Sequence, residues 1–306
     1  MSSPPGRPRL AAWLCLFAIY VVWGTTYLAI RVVVREMPPF AAASLRFLTA
    51  AVALAGLAFL FDREQGWPSR RQWIDYSIAG LCFLAGGNAG VMWAETRVSS
   101  GITALLVAMV PLWVTLLDGL RPGGQRWTLR VWLGVLLGLV GVGFVARPTE
   151  SGEAGHWTGI VVLQIASLVW SVGALYVQSI QRKLRTFSAT AIEMIAGAAG
   201  LFIESRLAGE PLEAIPQASH QAWMGLLYLI VFGAIVGFTA FAYAIHELPA
   251  STVGTYAYVN PVVAVVLGHL ILGEPLTRGA IIGAAFIIVA VVLTTHRAAT
   301  KGPTEA

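Results

Sequence analysis

Tyr20, Trp23 and Tyr27 fall at positions i, i+3 and i+7, which puts all three on one face of a helix. A helix face turned to lipid is more usually Leu, Ile or Val, so an aromatic stripe is a candidate cavity wall. Tyr256 and Asn260 lie four residues apart and also share a face. Asn88 stands in "GGNAG" (86–90), an amide among small residues. Trp93 and Trp170 lie deep in apolar runs, and Tyr243 occupies the place in a later run that Trp93 occupies in an earlier one. These residue types bind without reacting. Aromatic walls with few charges suit a neutral or zwitterionic solute, whose ammonium and carboxylate groups amides and free backbone carbonyls can hold. Tyr20, Trp23, Tyr27, Asn88, Trp93, Trp170, Tyr243, Tyr256 and Asn260 are therefore the expected substrate-binding residues.

Catalytic signals are missing by contrast. His246-Glu247 lacks the second His of H-E-x-x-H, and no G-x-S-x-G is present. The two lysines, Lys183 and Lys301, fall outside the apolar runs, so no Schiff base can form within the membrane. Cys15 and Cys82 lie inside apolar runs and share no metal-like spacing. No enzyme, cofactor or metal is expected.

The elements that must position these residues follow from composition. Of 306 residues, 57% are hydrophobic and only 11% charged, with mean hydropathy +0.74. An ordinary soluble domain carries roughly 25% charged residues, so this chain is an all-α integral membrane protein with the lipid bilayer as its partner. The formal charge of +5 bears on topology and does not imply nucleic acid. A membrane helix needs about 20 mostly apolar residues. Ten such spans are predicted at 10–34, 39–61, 73–95, 99–118, 129–146, 157–179, 187–205, 221–246, 251–272 and 277–296. Arg7 and Arg9 resemble the start of a signal peptide, but the length of the first span argues for a retained helix. With the N-terminus inside, the inner segments hold thirteen of the 20 Lys and Arg and the outer ends six. Both termini are therefore expected in the cytoplasm. A monomer is the default expectation.

The chain also matches itself. Trp23 falls on Trp170 and Phe40 on Phe187; further on, Trp73 falls on Trp223, Gly87 on Gly237, Pro111 on Pro261 and Gly134 on Gly283. Each half holds five spans, and an odd number makes the second copy enter from the opposite side, the inverted repeat of many transporters. The expected units are an N-terminal repeat at 1–147, an external linker at 148–156 and a C-terminal repeat at 157–306 with a short cytoplasmic tail. Arg46 and Glu193 are the same position in the two repeats, each about 10 Å into its helix. They are candidates for coupling or for a structural role, Arg46 also as an attractor of carboxylates. Gly134-x3-Gly138 and Gly279-x3-Gly283 are spaced for close helix packing.

Asn260-Pro261 interrupts the apolar "TYAYVNPVVAVV" (255–266), and "LLVAMVPLWVT" puts Pro111 at the matching point. A proline cannot bond the carbonyl four residues back, here Ala257 and Val107. At membrane depth such carbonyls need protein, water or solute, so a symmetric pair of kinks facing a shared cavity is expected, with a gating role for Pro111 and Pro261. Asn260, with Val110 opposite, would make the site asymmetric.

"AIHELPASTVGTYAYVNPVVAVVLGHLILGEPLTRGAIIGAAFIIVAVVL" (244–293) closely resembles the C-terminal repeat of EamA-type carriers of the drug/metabolite transporter superfamily. The resemblance lies in the small residues after a turn (Pro249, Ala250, Ser251), mid-helix Pro261, Gly273-Glu274 and Gly283. "VVWGTTYLAIR" and "SLRF" match the opening of the N-terminal repeat. The chain looks close to YddG-type amino-acid exporters. The resemblance implies ten helices in two inverted repeats and export of small metabolites, most simply amino acids, aromatic and other neutral ones. One departure is "GGQRW" in the first half, where the second has "GEPLT"; a helix-end role is thus expected for Glu274. The first span lacks the glutamate that small multidrug pumps of the superfamily use for proton exchange, which favours facilitated transport by alternating access. A proton-coupled exporter of drugs or other metabolites is the alternative within the family, and a channel the alternative outside it.

Overall fold

The computed structural model describes residues 7–62, 66–122, 124, 127–145, 156–181, 183–248, 253 and 256–295. Ten helices account for the predicted spans: α1 (Arg7–Val34), α2 (Pro39–Phe61), α3 (Arg70–Ala94), α4 (Ser100–Asp118), α5 (Leu129–Val145), α6 (His156–Ser179), α7 (Thr186–Leu207), α8 (His220–Tyr228 continuing through Leu229–Val236 to Gly237–Glu247), α9 (Tyr256–Leu272) and α10 (Arg278–Thr295). Seven are long and apolar enough to cross a bilayer by themselves, and α5, α9 and α10 are shorter apolar helices. No strand occurs among the described residues. Leu10, Phe17, Leu136, Leu270 and Ile281 project outward, as lipid contact requires. The fold is the expected all-α membrane bundle of two inverted five-helix repeats. The linker expected at 148–156 falls outside the described residues, apart from His156.

Helix starts follow local chemistry. Pro39 opens α2 at a position where the missing N–H costs nothing. At α3, Ser69 and Gln72 form a reciprocal capping box, so the helix begins at Arg70 rather than at the predicted residue 73. Four further starts are capped from the other repeat. The Glu210 carboxylate accepts from the Phe40 and Ala41 N–H at the head of α2 (3.0 and 2.8 Å). The Asp62 carboxylate accepts from Ser188 N–H and Oγ in the first turn of α7 (2.9 and 2.8 Å). Glu36 receives Ser219 N–H and Oγ at α8 (2.6 and 2.7 Å). Glu274 receives Ser100 N–H and Oγ and Gly101 N–H at α4 (2.9, 2.8 and 3.2 Å). A carboxylate there satisfies orphan donors and opposes the positive end of the helix dipole. Glu274 thus has the helix-end position expected of it.

Packing repeats the sequence symmetry. α1 lies against α8 and α9 as α6 lies against α3 and α4, while α2–α7, α4–α9 and α5–α10 pair across the pseudo-twofold axis. Between α5 and α10 the expected close packing holds for Gly279-x3-Gly283, which meets Phe144 and Gly141, whereas Gly138 lies nearest Met109 of α4. A Cβ on Gly279 would stand 2.7 Å from the Phe144 carbonyl oxygen, and one on Gly141 2.9 Å from that of Gly283.

Two features were not expected. The middles of α3 (Leu81–Asn88) and α8 (Leu229–Val236) are π-helical, at corresponding places in the repeats. The prolines also act differently. α4 breaks at Ala108–Met109 and restarts at Val110, with Pro111 in the new first turn, whereas α9 runs unbroken through Pro261. The kinks are therefore not a symmetric pair. Restarting the helix removes the ring clash at Pro111, while in α9 the carbonyl deprived of its donor lies in the first described turn.

Candidate solute-binding site

Where the repeats meet, α1, α2, α3, α4, α6, α8 and α9 enclose a cavity of about 110 Å³. Eight of the residues singled out from the sequence line it: Trp23, Tyr27, Arg46, Asn88, Trp170, Tyr256, Asn260 and Pro261. Val107 and Ala257, whose carbonyls the two prolines cannot bond, line it as well.

Trp23 is fixed from several sides. Its Nε1–H donates to the carbonyl of Gly233 in the π segment of α8 (3.3 Å). Its ring meets those of Phe238, Phe241 and Tyr256 at centroid distances of 5.6, 5.3 and 5.2 Å. Edge-on arrangements such as those with Phe238 and Tyr256 are favourable for aromatic quadrupoles. Trp23 also lies against Gly237, where a Cβ would collide with the indole. Its counterpart Trp170 lies against Gly87 in the same way, a Cβ there standing 2.8 Å from the ring, and packs on Phe83 at 4.9 Å. The matching of Gly87 with Gly237 in the sequence is thus the trace of two tryptophan slots.

Arg46 is 3% exposed. Its Nε–H donates to the Leu229 carbonyl at the start of α8's π segment (3.2 Å), and its guanidinium carbon lies 4.6 Å from the Phe47 ring centroid. π winding takes backbone carbonyls off the regular ladder and is frequent at functional sites. Here Leu229 and Gly233 accept from side chains of α2 and α1.

Asn260, 5% exposed, ties α9 to α1. With its amide oriented to satisfy its surroundings, the NH₂ donates to the Tyr256 and Tyr20 carbonyls, both at 3.2 Å. Tyr20 contributes that carbonyl and packs with Ala12, Leu16 and Ile19, outside the cavity lining. Trp93 also lies elsewhere; the Arg97 guanidinium stacks on its ring at 3.5 Å. Tyr243 is 38% exposed on the outside of α8. Glu193 packs its backbone on Gly80 of α3, and neither it nor Pro111 lines the cavity. No ion pair joins Arg46 to Glu193; pairs among the described residues include Arg71–Asp75 and Arg121–Asp118.

Sequence reasoning passed over Thr26, Ser167, Gly233 and Phe238, all in the lining. Ser167 lies one helical turn from Trp170, a signal that was available. Gly233 carried none, because its role depends on a carbonyl exposed by the π winding.

A family model described as "EamA-like transporter family" matches residues 10–147 and 157–296. Over 290 residues the chain is 37% identical to the "Uncharacterized inner membrane transporter YedA" of Escherichia coli strain K12, covering 94% of this chain and 92% of that one. It is 23% identical over 285 residues to the "Uncharacterized transporter YoaV" of Bacillus subtilis strain 168, covering 92% and 96%. A solved crystal structure, described only as that of a protein, matches with a TM-score of 0.65 at 18% identity over 93% of this chain and 96% of its own; this likeness is one of fold.

Proposed function

The chain belongs to the EamA-like transporter family of the drug/metabolite transporter superfamily and is a membrane transporter rather than an enzyme; we propose that it exports amino acids, aromatic and other neutral ones, by alternating access about the central cavity. The repeats at 1–147 and 157–306 would move against each other around that site, joined by an external linker at 148–156. The chain sits in a bacterial inner membrane with both termini cytoplasmic, and the solute moves down its gradient without strong ion coupling.

The observation that carries this proposal is the cavity where the repeats meet. Trp23 and Trp170 wall it from related places, Tyr27 and Tyr256 add polar-tipped rings, and Asn88 and Asn260 add amides. Its size points to a small metabolite, because pockets for drug-sized ligands run to about 300–1,000 Å³. Aromatic faces take the apolar part of a solute and polar tips its hydrophilic groups.

The test is transport into proteoliposomes of a panel of amino acids and cationic drugs, with and without a pH gradient. Saturable uptake of neutral amino acids with counterflow, insensitive to the gradient, is the expected result. Linear, non-saturating flux would sink the carrier model in favour of a channel. Drug uptake driven by the gradient would replace the amino-acid proposal with proton-coupled drug export.

A further inference from the structure

We propose that Arg46 is the carboxylate-binding residue of this cavity, so that its solutes carry a carboxylate with a net charge of zero or minus one, and solutes with a net positive charge are excluded. The inference rests on the cavity being the solute site, and it names the chemistry selected there.

Among the described residues lining the cavity, Arg46 alone bears a formal charge. An arginine side chain keeps its proton in proteins, and moving such a cation out of water costs several kcal/mol unless partners replace the water. Arg46 is only partly compensated. Nε–H has the Leu229 carbonyl, but Nη1 is buried and finds no acceptor in the protein. Its repeat mate Glu193, which could have neutralised it, does not line the cavity. Room for the guanidinium comes from Gly233, where a Cβ would stand 2.9 Å from Nη2. The fold therefore holds a cation in place, leaves donor capacity unused and withholds the counter-charge.

A carboxylate supplies what is missing. Its two oxygens match the fork of guanidinium donors, and such charge-assisted bonds are about twice as strong as neutral ones. Two further lining residues carry unpartnered buried polar atoms, the Ser167 hydroxyl and Oδ1 of Asn88. A hydroxyl can donate to a carboxylate and an amide oxygen can accept from an ammonium group. A zwitterion or a monocarboxylate with an apolar tail thus finds a partner for each group, while a cation lacking a carboxylate meets only the repulsion of Arg46.

Four probes that share one ring and differ in charge decide the matter. L-Phenylalanine, 3-phenylpropionate, phenethylamine and phenylalaninamide are titrated into the full chain in lipid nanodiscs, with binding read by tryptophan fluorescence. Phenylalanine and phenylpropionate are expected to bind about ten- to a hundredfold more tightly than the two cations. Arg46→Gln should abolish that preference, Arg46→Lys should restore its sign with weaker binding, and Ser167→Ala should reduce it only slightly. If either cation binds as tightly as phenylalanine, or neither carboxylate binds, the assignment of Arg46 is overturned. The ranking on the native chain settles this even if an Arg46 variant fails to fold. Binding of phenylpropionate without phenylalanine would defeat amino-acid export while leaving Arg46 in its role.

Discussion

α3 crosses α7 in the same way that α8 crosses α2, yet the two crossings are closed by different means. In the first, Gly80 lets the α3 backbone rest on the backbone of Glu193, and any Cβ would collide with it. In the second, Ile230 takes the place of Gly80, and the neighbouring Leu229 carbonyl receives the Arg46 guanidinium. One contact is backbone on backbone; the other is spanned by a long side chain that continues into the cavity. An inverted repeat thus keeps its geometry while sending a charged side chain into the cavity from only one of the two crossings. Symmetry provides the frame, and the departures from it provide the chemistry.

Substitutions at matched positions can break that contrast. Gly80→Val has the largest expected effect, because a backbone neighbour cannot move aside: overpacking of this kind costs about 1–3 kcal/mol or more. Its match Ile230→Val should cost only about 0.5–1.5 kcal/mol. Thermal melting and size-exclusion profiles in detergent measure both, and equal losses would erase the difference between the crossings.

Trp23→Ala and Trp170→Ala test the part that is alike. Each should lower transport by about three- to tenfold with near-normal expression, given the worth of aromatic contacts beyond burial. Trp23 should suffer more, since it also holds the Gly233 carbonyl. Unchanged kinetics in both variants would remove the tryptophans from the site.

Asn260→Ala probes an unlike pair, because Val110 stands opposite. It removes two bonds from α9 to backbone carbonyls, each worth about 0.5–1.5 kcal/mol net. Transport should fall while expression stays near normal. Val110→Ala, measured the same way, should change transport less.

The smallest effect belongs to the helix caps. Three of the four crossed carboxylates, Glu36, Glu210 and Glu274, lie on the face where the even-numbered helices begin, and Asp62 alone lies on the other. Asp62 and Glu210 clamp the two ends of α2–α7, whereas Glu36 and Glu274 have no acidic counterpart: Lys183 and "GGQRW" stand in their places. The Ser219 N–H and then its hydroxyl hold the Glu36 carboxyl below its ordinary range. A depressed folded-state value means that the stabilisation is present above the ordinary carboxylate range and lost as pH falls through the lowered one. Melting temperatures measured down a pH series should therefore show an acid-side loss in the native chain that Glu36→Gln reduces slightly; identical profiles would leave this cap without energetic weight.

Much of this was legible in the chain. Ten apolar runs, their division into fives and the matches of Trp23 with Trp170 and Gly87 with Gly237 depend on composition and spacing, which local sequence carries. The stripe of Tyr20, Trp23 and Tyr27 was correctly placed on one face, but helical period cannot say how far along that face the cavity reaches. Tyr20 therefore lies beyond it, giving a backbone carbonyl to Asn260. Trp93 was chosen by its depth and Tyr243 as its match in the second repeat, and neither depth nor repeat position distinguishes the inside of a bundle from its outside.

Apolar content sends a segment into the membrane whatever its neighbours are, so the bundle, its membrane setting and its inverted pairing were decided residue by residue. Tertiary structure decided what no single helix can. It wound α3 and α8 into π segments, broke α4 but not α9, and turned Arg46 toward the cavity while leaving Glu193 outside it. Each of these outcomes depends on which backbone and side chain meet across a helix crossing, and that meeting exists only once the helices have packed.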